Sequence, residues 1–168
     1  MTTIIATTDA LYSDSLSGGG DLAFKTDKLY RIGKRNSKIV GCAGNSEVIH
    51  MYLDALRKRH KFAVPKHVAE DDRRLSVLIV SKEGIFHAEE NGVLEPVREP
   101  FVAIGSGGKI AMGVLTKISR SGKILTHEDF KEAIEIASIF DENTRLPMQT
   151  MYLDPKRTNA DQIVQPPS

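Results

Sequence analysis

Thr2 is the residue whose type and position bear most directly on chemistry. Once Met1 is removed, Thr2 presents a hydroxyl nucleophile and a free α-amine on one residue. An α-amine has a pKa of about 8, so it can accept the hydroxyl proton near neutral pH without a histidine. Threonine is small, which makes Met1 easy to remove, although many cytosolic chains begin the same way. Other reactive patterns fail on inspection. Gly105-Ser106-Gly107-Gly108-Lys109 lacks the Ser or Thr of a phosphate loop, because Ile110 follows the lysine and Ala103 stands where the first glycine belongs. Ile110 also breaks a dinucleotide fingerprint. Ser106 is not in a nucleophile elbow, since Ile104 replaces the required glycine. The 5 histidines are scattered and make no metal-ligand spacing, so neither metal nor cofactor is expected. Cys42 lies in apolar company and reads as core.

The elements that must position Thr2 follow from the apolar pattern. Thr2 to Thr7 is β-branched and reads as a strand, with a return strand over Leu11 to Leu16. Ser17-Gly18-Gly19-Gly20 breaks the pattern. Lys28 to Ile32 and Lys38 to Ala43 are further strands. Gly44-Asn45-Ser46 opens a helix with Val48, Ile49, Tyr52, Leu53 and Leu56 at helical spacing. Phe62 to Arg74 is polar, contains Pro65 and reads as a loop. Leu75 to Val80 is an apolar strand, and Gly84 to Ala88 with Gly92 to Val97 suggests a hairpin. Phe101 to Ile104 is a short strand. Two helices follow, one bearing Ile110, Ala111, Val114, Leu115 and Ile118, the other opened by a Thr126/Asp129 capping box. Met151 to Leu153 closes the series.

This order, with helices segregated from strands, predicts an α+β fold. The runs IIA, IVGCA and LSVLIV lack polar alternation, as strands covered on both faces do. A four-layer αββα sandwich of two antiparallel sheets flanked by helices satisfies both observations.

The 168 residues suit a single domain, 1–168, with a loose C-terminal tail from about residue 156. With 23 basic against 22 acidic residues and a net charge of +1, the chain has no field to recruit nucleic acid or a membrane surface. No apolar run reaches the roughly 18 residues of a membrane span. The start resembles no signal peptide, and the 1 cysteine cannot form an internal disulfide, so a reducing, cytoplasmic address is expected.

In order along the chain, TTIIA, YSDS, DKLYRI, KIVGCAGNSEV, FVAIGSGGKIAMGVL and FDENT resemble the β subunits of the proteasome and the bacterial HslV peptidase. The resemblance implies the N-terminal nucleophile hydrolase fold and a self-compartmentalising threonine peptidase subunit acting on polypeptides. It implies roles as well. Thr2 would be the nucleophile. Lys28 would stabilise its alkoxide, and Asp14 would hold that lysine charged and oriented. The Gly41 N–H would face the oxyanion, and Ser106 would hold the terminal amine. Asp141 and Thr144 would support it from behind, and Ile39 and Ala43 would line a small to medium apolar specificity pocket. A homo-oligomeric ring or double ring is implied, with an ATP-dependent unfoldase as a candidate partner.

Taken singly, these residues have plainer readings. Asp14 and Lys28 read as a surface ion pair, Lys25 rivals Lys28, Ser106 reads as a turn residue, and Gly41 as a close-packing glycine. The separations Thr2–Asp14 and Asp14–Lys28, 12 and 14 residues, are shorter than the family's, but both are even, which preserves the facing side in regular strands. The family's second long helix has no counterpart in the stretch Phe62 to Arg74. Two other readings stay open: a non-catalytic ring or scaffold subunit of the same fold, and an N-terminal nucleophile amidohydrolase acting on a small molecule.

Overall fold

A computed structural model describes residues 2–19, 22–25, 27–34, 37–65, 68 and 73–157. The elements are β1 (Thr3–Thr7), β2 (Ala10–Ser13), β3 (Leu16–Gly19), β4 (Leu22–Lys25), β5 (Leu29–Ile32), β6 (Lys38–Gly44), α1 (Ser46–Lys58), β7 (Leu75–Ser81), β8 (Gly84–Glu89), β9 (Glu95–Val97), β10 (Phe101–Gly105), α2 (Gly108–Arg120), α3 (His127–Phe140) and β11 (Gln149–Tyr152). One sheet has the order β10-β1-β2-β11 and the other β5-β6-β7-β8-β9, while β3 and β4 form a two-stranded ribbon. Every pairing is antiparallel.

Side-chain alternation builds the layers. Ile4 and Ala6 on β1 face the second sheet, where they meet Leu29, Ile39, Leu78, Val80 and Ile85. Ile5, one residue along, faces the other way and packs with Tyr12, Phe101, Leu115, Phe130 and Ile134 beneath α2 and α3. On the second sheet, Val40, Cys42, Val77 and Ile79 turn outward to Val48, Tyr52 and Leu53 of α1. The result is the expected αββα sandwich, in which both sheets are covered on both faces.

Local signals explain the helix boundaries. Asn45 caps α1 by accepting from the N–H groups of Glu47 and Val48 at 2.9 and 3.4 Å. Thr126 and Asp129 make the expected capping box on α3. Two expectations need correction. The proposed strand from Leu11 to Leu16 is divided at Asp14-Ser15, between β2 and β3. The glycine-rich stretch at Ser17 does not break the chain's extension, because β3 pairs with β4 through Gly18 and Gly19. Between α1 and β7 no described residue is helical, as the composition there suggested; Phe62, Val64 and Val68 instead pack on the core beneath α1. Nearly all of the predicted tail lies outside the described residues.

Candidate active site

Thr2 stands at the open end of β1. Its hydroxyl donates to Asp14 Oδ1, and the Lys28 ammonium donates to Thr2 Oγ1. Lys28 also spans both oxygens of Asp14, at 2.8 and 2.9 Å. The three residues are 3%, 0% and 6% exposed, which rules out a surface ion pair. Each comes from a different element end: Thr2 before β1, Asp14 in the break after β2, and Lys28 before β5. Asp14 is fixed further by the backbone N–H groups of Thr3, at 2.8 Å, and Arg145, at 3.3 Å. Burial lowers the Lys28 pKa below the usual lysine value, against the opposing pull of the Asp14 carboxylate and its hydrogen bonds. The side chain of the rival Lys25 falls outside the described residues, as does Met1.

Thr3 points to the opposite face and engages a second cluster. Its hydroxyl lies 2.6 Å from that of Thr144, which donates to Asp141 Oδ2 at 2.6 Å. Ser106 donates to the same oxygen, also at 2.6 Å. Burial raises the Asp141 pKa, but the hydrogen bonds from Ser106, Thr144 and Asn143 outweigh it and hold the carboxyl below its usual value. Ser106, Asp141 and Thr144 are thus brought together as expected, with the observed partner of the serine being Asp141. The glycines around Ser106 have steric reasons. A Cβ at Gly105, where φ is +91°, would lie 1.8 Å from the Thr2 carbonyl oxygen, and one at Gly107 would lie 2.2 Å from Thr3 Oγ1. The segment that failed as a phosphate loop is the surface on which the start of β1 rests.

Gly41 is not placed as expected. Cys42 N–H bonds to Lys28 O, and Asn45 N–H to Arg74 O. In antiparallel ladders, hydrogen-bonded pairs alternate with non-bonded ones. Gly41 therefore forms a non-bonded pair with Leu29 and a bonded pair with Leu78, so its N–H is directed into the ladder with β7. Its missing side chain makes room for Ile4 instead: a Cβ there would meet Ile4 Cγ2 at 2.7 Å. The plain reading of Gly41 as a close-packing glycine is the one the structure supports. Ile39 is likewise displaced; it is fully buried between the sheets, opposite Arg31 and Val80, at the far end of β6 from Thr2.

Gly44, three residues on, lines the cavity beside Thr2 instead. By the same alternation it forms a non-bonded pair with Leu75, so its N–H turns away from β7. It lies beyond the last register pair of β6 with β5, Leu29 with Gly41. Its φ of +133° and the 2.1 Å that would separate a Cβ from Arg74 O both demand glycine. Gly44, Ala43, Thr2, Gly105 and Ser106 line one cavity of about 290 Å³, together with Arg74, Leu75, Ser76, Glu89 and Glu90. Ala43 therefore lies where a pocket residue was expected. Gly44 was recognisable only once strand register was known. No metal-binding group of three or more His, Cys, Asp or Glu residues occurs among the described residues, and no described helix is long and apolar enough to cross a membrane.

The sequence matches no protein-family model and no curated protein. Solved structures do match. BPH from Thiobacillus denitrificans, in complex with epoxomicin, superimposes with a TM-score of 0.65 at 21% identity, over 92% of this chain and 99% of that one. Eukaryotic HslV from Trypanosoma brucei gives 0.60 at 17% identity, over 90% and 97%. Anbu from Pseudomonas aeruginosa, solved as a helical assembly, gives 0.62 at 14% identity, over 90% and 80%. With a four-stranded and a five-stranded antiparallel sheet and three flanking helices among the described residues, and nearly full coverage of HslV and BPH, this chain has the proteasome-like N-terminal nucleophile fold.

Proposed function

We propose that this chain is the subunit of a threonine peptidase, with Thr2, freed of Met1, as nucleophile. The observation that carries the proposal is the buried contact of Lys28 and Asp14 with the Thr2 hydroxyl. An ammonium and a carboxylate are expensive to bury even when paired, and here both converge on one hydroxyl. In the proposed reaction the α-amine of Thr2 takes the Oγ1 proton as Oγ1 attacks a peptide carbonyl. Lys28 stabilises the oxygen as it gains negative charge, and Asp14 orients Lys28. The N–H of Gly44, rather than that of Gly41, serves the carbonyl oxygen. The amine then protonates the departing nitrogen, leaving an ester on Thr2, and a water activated by the same amine hydrolyses it. Asp141, with Ser106 and Thr144, fixes the approach of the Thr2–Thr3 segment.

The proposal extends to assembly. Anbu and HslV share this fold, and the helical Anbu assembly supports self-association of this chain into a ring or helical array. Confinement would then supply selectivity against folded proteins, and an ATP-dependent unfoldase is the candidate partner that the resemblance implies; the cytoplasmic location rests instead on the single cysteine and the absence of a signal-peptide pattern.

Intact-mass spectrometry after incubation with epoxomicin tests the chemistry. The expected result is a chain lacking Met1 with one adduct, which peptide mapping places on Thr2. A chain that retains Met1 under native expression and takes no adduct overturns the proposal. Native mass reports assembly separately, and a monomer that turns over only small amides would favour the amidohydrolase reading.

A further inference from the structure

The second sheet carries a cross-strand row that ends in the cavity beside Thr2. Ala43 on β6 pairs with Ser76 on β7, and Ser76 with Glu89 on β8. These residues share the parity of Ile39, Leu78 and Ile85, so all three face the sheet that bears Thr2. Further in, that face is filled by Ile4 and Ile104 from the first sheet. At this row the filling stops, and Ser76 and Glu89 line open space instead.

The row has a length and a polarity. Strands lie about 4.8 Å apart, so Glu89 stands two spacings, about 10 Å, across the sheet from Ala43. Midway, the Ser76 hydroxyl lies 3.0 Å from His87 Nε2, which fixes it at the cavity wall. The charged groups lining the cavity are Glu89, Glu90 and Arg74, all exposed, and no ion pair joins them among the described residues. Two carboxylates thus face one guanidinium. A substrate side chain entering beside Thr2 crosses Ala43, passes a hydroxyl and ends at a carboxylate. Lysine and arginine match this sequence: a stem about 6 Å long, apolar at its root, with only hydrogen-bond donors at its tip. An aspartate or glutamate would meet like charge, and a leucine would displace water from Ser76 and Glu89 without replacing its hydrogen bonds.

We infer that Glu89 determines specificity in this cavity, which selects polypeptides carrying lysine or arginine next to the cleaved bond. The inference rests on Thr2 being the nucleophile. Digestion of a diverse peptide library, with the products identified by mass spectrometry, tests it, and epoxomicin labelling of the same preparations is read in parallel. Lysine and arginine are expected to be enriched about fivefold over leucine and glutamate at one position flanking the cleaved bond, the upper end of what one exposed ion pair gives. In Glu89→Gln the enrichment falls to near parity, in Glu89→Asp it is partly kept, and in Glu89→Lys it shifts toward acidic residues. Enzyme that labels on Thr2 but shows no basic preference, or one unmoved by Glu89→Gln, overturns this inference and leaves the nucleophile intact. Failure of both labelling and cleavage overturns the two together.

Discussion

Gly41→Ala isolates the packing role of that glycine. The new methyl would sit 2.7 Å from Ile4 Cγ2, with Ile4 Cδ1 and Leu29 Cδ2 each at 3.4 Å. Ordinary carbon contacts lie at about 3.5–4.0 Å, so β1 and β6 must part by about 1 Å at their closest approach. Overpacking of this kind costs about 1–3 kcal/mol. Gly41 has no positive φ, so alanine is tolerated by the backbone and restricts the unfolded chain, returning about 0.4–1 kcal/mol. The net loss expected is about 1–2 kcal/mol, a fall in Tm of about 2–8 °C for a chain this long. Ile4 and Thr2 lie on the same side of β1, so the displacement reaches Thr2, the proposed nucleophile, where a 1 Å error costs about 100-fold in rate. Urea denaturation and the rate of epoxomicin labelling measure the two effects. Ile4→Ala removes the obstructing methyl; in that background Gly41→Ala should cost at least about 1 kcal/mol less. A Gly41→Ala protein as stable and as quickly labelled as its parent would refute the packing account.

Asp14→Asn leaves the buried Lys28 ammonium without its counter-charge and should cost about 3–5 kcal/mol, with labelling of Thr2 abolished. Adding Lys28→Met should restore much of the stability in chemical denaturation but none of the labelling; an unaltered denaturation midpoint in Asp14→Asn alone would contradict the burial reading. Asp129 and Asp141 are both held below the usual carboxylate value of 3.8, burial being outweighed by hydrogen bonds from Lys123 and Thr126 in the first and from Ser106 and Thr144 in the second. Their folded pKa values are depressed, so their stabilisation is complete above about pH 4 and is lost as pH falls through the folded values. Melting curves between about pH 5 and 3 should show this fall, and Asp141→Asn should make it shallower. Ser106→Ala removes one donor to Asp141 at an exposed position and should change stability by less than about 1 kcal/mol, while slowing Thr2 labelling. A labelling rate equal to the parent's would exclude Ser106 from positioning the chain start.

The sequence and the structure part company at particular residues. Thr2, Asp14 and Lys28 were legible because each is a chemically distinctive residue in a recognisable setting; their even spacing does not account for the contact, since Asp14 lies opposite Thr3 in the β1–β2 register and reaches Thr2 from the break after β2. The capping boundary of α3 was legible because Thr126 and Asp129 signal locally. Gly41 and Gly44 were not separable, since both are glycines on one apolar strand and three residues apart. What distinguishes them is ladder parity, fixed by the bonds from Cys42 to Lys28 and from Asn45 to Arg74, which no local pattern announces. Ile39 was misplaced by the same gap in knowledge, because apolar residues on one strand face can end in the core or in a pocket. The β3–β4 ribbon was missed because Gly18 and Gly19 carry turn propensity that cross-strand pairing overrides.

The opposed faces of Thr2 and Thr3 have a dynamic consequence. A chain terminus usually frays, but a chain starting at Thr2, as proposed, would have its first side chain clasped by Asp14 and Lys28 on one side of the sheet and the next by Thr144 on the other. Ordering two backbone residues costs about 2–4 kcal/mol, and in this arrangement the cost is met during folding instead of at each encounter with a peptide. The clasping residues lie as far along the chain as Thr144, so the start cannot loosen without disturbing the ends of both sheets. Reactivity at Thr2 should therefore disappear together with the cooperative melting of the sandwich, with no intermediate temperature at which the fold persists and the reactive end is free.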